Sequence, residues 1–254
     1  MRATTVTASL LTSLLTLGLG ACASDDTSDE LAGETAGEDG DGKADSLDES
    51  GYHVARRVVA RCLEPECRGV ELTRLNRTTT PCLDGASPAA CLVPDPALDW
   101  SGSGLSKEQI DQLIGGMPYG PSSPDAASEA PILIRGKIDE GRFLVTEAWL
   151  GADRAAPVTG IAVRVRGVRA ACGSGSCPRH LSEAKLNSTR TATLGGLDFT
   201  GDGLDGDSAN FLEELIFESG GPGVIITGTR TELADGSKSR SIDNYWLKVF
   251  GDNE

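Results

Sequence analysis

The residues with the widest choice of chemistry in this chain are cysteines. Arg61-Cys62-Leu-Glu-Pro-Glu-Cys67 and Ala171-Cys172-Gly-Ser-Gly-Ser-Cys177 are both C-x4-C, and each is followed about ten residues on by Leu-Asn, at Leu75-Asn76 and Leu186-Asn187. Four thiolates so arranged could hold a zinc ion. In an oxidising compartment the same pairs would close as disulfides. Cys82 and Cys91 form a third pair inside a turn-rich stretch. With Cys22 set aside, six of the seven cysteines remain, an even number that favours disulfides in an exported chain. Their placing points to neighbours as partners: Cys62–Cys67, Cys82–Cys91 and Cys172–Cys177. Loops this short contribute roughly 2–3 kcal/mol each in the chain-entropy view.

Other chemistry is sparse. Asp198-Phe-Thr200-Gly-Asp202-Gly-Leu-Asp205-Gly-Asp207 places acids at the first and fifth positions of a calcium loop, with Asp205 and Asp207 beyond. The position for the bidentate Glu is Ala209, however, so calcium is a candidate ligand and a Gly-rich turn preceding a helix the alternative. An earlier run, Asp39-Gly-Asp41-Gly-Lys-Ala-Asp45, lacks the downstream Glu and reads as solvated linker. The two histidines, His53 and His180, stand in no recognisable catalytic setting, and no hydrolase, metalloprotease or phosphate-loop motif is present. A Cys177–His180 nucleophile would be abolished by a Cys172–Cys177 disulfide. The sequons Asn76-Arg-Thr78 and Asn187-Ser-Thr189 occupy matching places and read as turn or cap residues.

These groups are carried by a chain with a clear address. After Arg2, the apolar run Leu10 to Leu19 is too short to cross a bilayer as a helix, and it ends in small residues, as a secretory signal does. Leu19-Gly20-Ala21-Cys22 resembles the lipobox of bacterial lipoproteins. That resemblance implies cleavage before Cys22 and a lipid anchor on it, stable because several acyl chains act together. Ala23 in place of Asp then points to the outer membrane or cell surface. The segment that follows is a tether. Residues 1–50 hold eleven carboxylates against two cations, a net −9 out of the chain's −15. Ala23 to Glu49 has no apolar periodicity and too little apolar surface to order itself. The remainder is only mildly acidic, with no basic field for nucleic acid.

Residues 52–250 then lay out as two passes through one order of elements. A Val- and Arg-rich strand enters each Cys loop, and an alternating strand such as Val70-Glu-Leu72-Thr-Arg-Leu75 leaves it. Ser106-Lys-Glu-Gln109 is a capping box opening a helix that ends at Gly115-Gly116. Asp139-Glu140-Gly141 is a hairpin signal between Pro131–Ile138 and Phe143–Leu150. In the second pass Leu197-Asp198-Phe199 stands for Leu98-Asp99-Trp100, Asn210–Phe217 for the helix, Val224–Gly228 for Ile132–Gly136, and Tyr245-Trp246-Leu247 for Ala148-Trp149-Leu150. The expected fold is therefore α+β and mainly antiparallel. Its internally duplicated strand–Cys loop–strand–helix–hairpin units have a pseudo-two-fold arrangement. The expected organisation is a leader at 1–21, a tether at 22–50, and units at 51–151 and 152–254 forming one globular domain.

The cysteine pattern resembles an uncharacterised family of secreted bacterial lipoproteins. The likeness rests on the C-x4-C loop, on Asn76-Arg-Thr-Thr-Thr-Pro-Cys82 followed by Asp84-Gly85, on Cys91 before Leu98-Asp99-Trp100, and on Cys177-Pro178 before Leu186-Asn187. One extra residue precedes Cys82. The resemblance implies export and a shared fold, and it carries no known activity. The expected function is a non-enzymatic, lipid-anchored envelope module that binds an envelope or extracellular protein. The alternatives are a secreted protease inhibitor presenting the Cys62–Cys67 loop, a calcium-dependent adhesion module, and a hydrolase with an unrecognised site.

Overall fold

The computed structural model describes residues 50–59, 68–117, 132–152, 160–169, 179–199, 204–218 and 221–251. The expectations for the leader, for Cys22, for the tether up to Glu49, for Cys62, Cys67, Cys172 and Cys177, and for Asp202 fall outside these residues. The first run of elements is β1 (Gly51–Val59), β2 (Arg68–Arg74), β3 (Cys91–Pro94), β4 (Leu98–Asp99), α1 (Lys107–Gly115), β5 (Ile132–Asp139) and β6 (Arg142–Gly151). The second is β7 (Ala162–Arg169), β8 (Arg179–Lys185), β9 (Thr191–Leu194), β10 (Gly196–Asp198), α2 (Gly206–Phe217), β11 (Val224–Thr227), β12 (Arg230–Glu232), β13 (Lys238–Ser241) and β14 (Asn244–Val249).

Local chemistry accounts for most boundaries. Ser106 caps α1 as the capping box requires, its Oγ accepting from Gln109 N while Gln109 Oε1 accepts from Ser106 N. Glu140 (φ 47°) and Gly141 (φ 76°) both take positive φ, the requirement of a type I′ turn, and they join β5 to β6. α2 starts earlier than its apolar pattern suggests. Asp205 caps it by accepting from Ser208 N, so the polar residues before Asn210 are already helical.

Among the described residues eleven strands form one sheet, running β3-β2-β1-β5-β6-β14-β11-β7-β8-β9 with β4 beside β6; β10, β13 and β12 form a second, three-stranded sheet. The α+β class built from duplicated helix-bearing units is overturned by this arrangement. The described chain is mostly antiparallel sheet, with two α-helices of nine and twelve residues. The physical reason lies in burial. α1 buries only Leu113 and α2 only Leu212 and Ile216, whereas β5 alone buries Ile132, Leu133, Ile134 and Gly136. The second hairpin also departs from expectation. β11 and β14 pair as anticipated, but Arg230–Ser241 leaves the main sheet between them as β12 and β13.

Three apolar clusters hold the fold. One lies beneath α1 (Ala55, Leu72, Ile134, Phe143 with Leu113), and one lies beneath α2 (Val163, Val165, Leu181, Ile226 with Leu212 and Ile216). The third, on the opposite face, joins Tyr52, Val54, Leu133, Trp149, Ala162, Ile225 and Trp246. Trp149 and Trp246 are fully buried, a stabilisation on the order of 4 kcal/mol each from area alone. Four strands lie between β1 and β7 in the sheet, yet their starts are linked. Asn187 Nδ2 donates to Tyr52 O and Leu75 O, and its Oδ1 accepts from Tyr52 N. Asn76 Nδ2 likewise donates to Ala162 O and Leu186 O, and its Oδ1 accepts from Ala162 N. The sheet therefore curls around the third cluster, and two asparagine side chains close the gap. Both hold positive φ, 56° and 58°, which Asn tolerates better than most residues.

Candidate functional site

A molecule whose two ends of sheet place residues in corresponding registers supplies its own control. Where one end is served by small neutral groups and the other by charges, packing does not require the charges. Two places meet that test.

The first is on the concave face. Laid on one another by strand order and register, the two runs set Tyr52 against Ala162, Val54 against Arg164, Arg135 against Thr227, and Glu147 against Asn244. At one end of the third cluster Asn244 Nδ2 reaches Thr227 Oγ1, at 3.4 Å, and both side chains are uncharged. The other end is charged. Glu147 accepts from Arg135 Nη1 (3.1 Å), Trp149 Nε1 (3.1 Å) and the Tyr52 hydroxyl (3.3 Å), while Arg164 Nη1 donates to that hydroxyl at 3.1 Å. Arg135 also lies over the Tyr52 ring, 5.4 Å from its centroid. Burial, followed by the Glu147 carboxylate, raises the phenol's pKa above its ordinary value, and Arg164 and Arg135 pull in the other direction. Tyr52 therefore stays protonated and donates to Glu147. Arg135 keeps 36% of its side chain exposed against 17% for Glu147, and Arg166, two residues beyond Arg164 on the same strand face, is exposed. Three guanidinium groups face one carboxylate. The arrangement is suited to holding an anionic group by charge-assisted hydrogen bonds.

The second place is on the α2-bearing face. Leu72, Ile138 and Phe143 at one end correspond to Glu183, Arg230 and Arg240 at the other. Arg240 Nε and Nη2 donate to the Glu183 carboxylate at 2.7 and 3.5 Å, and its Nη1 donates to Gly228 O at 2.7 Å. Gly228 is required here, because a Cβ would sit 1.9 Å from Ser241 O.

The residues singled out from sequence are distributed as follows. Cys82 and Cys91 are joined by a disulfide, their Cα atoms 5.5 Å apart, and it ties the insertion to β3 beside β2. Asp205 Oδ1 is engaged as the α2 cap, which lowers that acid's pKa, and Asp207 is exposed in the first helical turn. Asp198 is exposed at the end of β10, and its carbonyl accepts from Ile242 N. Among the described residues no three metal-ligating side chains gather. Asp99 Oδ1 accepts from Ser101 N instead. Asn76 and Asn187 serve as caps across the gap, their amides fully engaged. His180 is exposed. His53 is buried against Phe143, with Nδ1 3.1 Å from Gly51 O. Burial, and then Arg74, pushes its pKa down to about 3.

The sequence reading did not single out Tyr52, Arg135, Glu147, Arg164, Glu183, Arg230 or Arg240. A signal existed: in Ile161-Ala-Val-Arg164-Val-Arg166 the arginines alternate with buried residues, so a strand must present both on one face. No curated protein and no solved structure matches this chain. The model of a domain of unknown function, DUF6748, matches residues 51–241, and the chain belongs to that family.

Proposed function

We propose that this protein is a lipid-anchored envelope protein whose folded part is a non-enzymatic binding module. It engages an acidic segment of an envelope or extracellular protein through Arg135, Arg164 and Arg166. One observation carries the reading: Tyr52, Arg135, Glu147 and Arg164 occupy places that the other end of the same cluster fills with Ala162, Thr227, Asn244 and Val54. Charges that the fold can do without, Arg135 held by Glu147, Arg164 by the Tyr52 hydroxyl and Arg166 by Pro222 O, lose little ordering entropy on binding. Arginine beside an aromatic ring is also the side-chain chemistry most enriched at binding hot spots. The test is affinity capture from native envelope with the wild-type chain and with an Arg135→Glu, Arg166→Glu variant. A partner retained by the wild type, released by salt and absent with the variant supports the reading. Equal capture by both overturns it.

The anchor is Cys22, through the lipobox Leu19-Gly20-Ala21-Cys22, with the acidic run to Glu49 as a tether at the outer membrane or cell surface. A Cys22→Ser protein then loses the detergent phase in a partitioning assay. The pairs Cys62–Cys67 and Cys172–Cys177 join Cys82–Cys91 as disulfides. Thiol titration of the unfolded, unreduced protein without its Cys22 thiol then finds no free thiols, whereas four would refute the two loop bridges.

A further inference from the structure

Two guanidinium groups share the Glu183 carboxylate, and it serves them unequally. Arg230 and Arg240 are directly opposite on β12 and β13, a like-charge pairing that a sheet ordinarily avoids. One carboxylate, Glu183, lies between them with its side chain fully buried. Arg240 takes the better geometry, at 2.7 Å, and its side chain is 1% exposed. Arg230 Nε approaches Glu183 Oε1 only to 3.5 Å. The Arg230 side chain is 8% exposed, and neither its Nε nor its Nη1 has a hydrogen-bond acceptor. A guanidinium so far removed from water, with two donors unused and its nearest described carboxylate shared with Arg240, calls for an acceptor of its own.

β12 is at the edge of the three-stranded sheet, with β13 as its neighbour; Glu232, next on the strand face that carries Arg230, is exposed, and 8% of the Arg230 side chain stays open. The corresponding place at the other end of the molecule is filled by Ile138, opposite Phe143 and packed against the apolar cluster that also holds Leu72. The arginine is thus an addition to a position that an aliphatic residue serves. We propose that Arg230 is an anion-binding residue that takes a small oxyanion, of carboxylate or phosphate type, from the free edge of β12. The oxyanion approaches through the small part of the side chain that stays open and accepts from the guanidinium, and Glu183 holds the guanidinium from behind. The site is independent of the concave cluster, being on the other face of the sheet.

The test uses the full-length lipidated protein in detergent, with thermal unfolding followed by the fluorescence of the buried Trp149 and Trp246. Sodium phosphate and sodium acetate are titrated against sodium chloride at matched ionic strength. A saturable rise in Tm beyond that of chloride is expected, about 5 °C or more at a hundredfold excess over Kd. A response to phosphate alone or to acetate alone assigns the class of oxyanion, and a response to both supports the shared chemistry. Arg230→Leu, which restores an aliphatic residue as at Ile138, is expected to fold and to lose the rise. Lys107→Gln, which removes an exposed cation on α1 outside both charged clusters, is expected to keep it. No rise in the wild type beyond chloride, or an undiminished rise in Arg230→Leu, overturns the proposal. Should Arg230→Leu fail to fold, phosphorus-31 line broadening of inorganic phosphate by the wild type decides the phosphate arm, and proton line broadening of acetate decides the carboxylate arm. No broadening in either overturns the proposal.

Discussion

Leu72, Ile138 and Phe143 fill one place in the sheet, and Glu183, Arg230 and Arg240 fill the place that corresponds to it by strand order and register. The backbone around the two is alike. Leu98 in β4 pairs beside Phe143, and Leu197 in β10 pairs beside Arg240, both in parallel. Gly136 and Gly228 each bring their strand so close to the next that a Cβ would meet a carbonyl oxygen, at 2.4 and 1.9 Å. The outcome differs all the same. The apolar side keeps an unbroken hairpin, with a bulge at Arg135/Gly136, while on the charged side β12 and β13 leave the main sheet and β13 pairs with β10. Burying an ion pair needs hydrogen-bond partners from several directions. Gly228 O becomes available to Arg240 because the strands part there. A methylene cluster needs no such geometry, so the hairpin with Phe143 has no reason to open.

That comparison can be broken most severely at its centre. Glu183→Leu leaves two buried guanidinium groups without their carboxylate and is expected to cost roughly 3–5 kcal/mol in chemical denaturation. Replacing all three residues to give the other end's composition, Glu183→Leu with Arg230→Ile and Arg240→Phe, is expected to return stability to within about 1 kcal/mol of wild type or above it. If the triple replacement is as damaging as the single one, the two places are not equivalent in packing. The comparison then loses its force.

Next in size is the gap closed by the two asparagines. Asn76→Ala and Asn187→Ala each remove three hydrogen bonds and place alanine at positive φ, so each is expected to cost about 3 kcal/mol. Equal losses would show that the two ends bear the closure alike. A much larger loss at Asn76 would assign more of it to the end that also carries Arg77, whose Nη2 donates to Asn187 O at 2.6 Å.

Much of this was legible beforehand, and the limits have physical causes. The capping box at Ser106, the Glu140-Gly141 turn and the alternation of β2 are local signals, and local energetics decided them. The matching of Leu75-Asn76 with Leu186-Asn187 was visible in the residues, but the exchange of hydrogen bonds between them was not. Each asparagine bonds to residues more than eighty positions away, and nothing in a short window encodes that. The weight given to the helices was misplaced because Ile110, Leu113 and Ile114 look like a helix face wide enough to form a layer, and only Leu113 is buried. The charged clusters escaped notice because Arg and Glu in strands read as solvent-facing residues. Only the curling of the sheet puts Arg164 against Tyr52.

A smaller effect separates His53 from Val163, which stands in the corresponding register. Native His53 stays neutral until about pH 3, while in the unfolded chain it takes a proton near pH 6.5. Between those values the unfolded state binds the extra proton, so stability falls as pH drops below about 6.5 and nothing is lost above it. The slope is about 1.4 kcal/mol per pH unit once unfolded His53 is fully protonated. Over the first unit below 6.5 the loss is about 1 kcal/mol. His53→Val, matching the other end, is expected to flatten that part of the Tm-versus-pH curve. An unchanged slope would assign the acid sensitivity to other groups.

The smallest expected stability change bears most directly on function. Tyr52→Phe removes the hydroxyl that Arg164 and Glu147 share, a loss of about 1 kcal/mol, while Thr227→Val at the neutral end of the concave face is expected to cost less, because the contact there is 3.4 Å long. If the charged end exists for binding, Tyr52→Phe loosens Arg164 and weakens partner capture by more than its stability cost accounts for. Thr227→Val leaves capture untouched. A cluster maintained only for the fold would behave in the opposite way: stability and capture would fall in proportion, and Arg166→Ala, at an exposed position away from the Glu147 hydrogen bonds, would change neither. Arg166 is therefore the discriminating residue. Its guanidinium adds positive charge to the face while its Nε is held by Pro222 O at 2.9 Å, so a loss of capture without a loss of stability can come only from a contact made to another molecule.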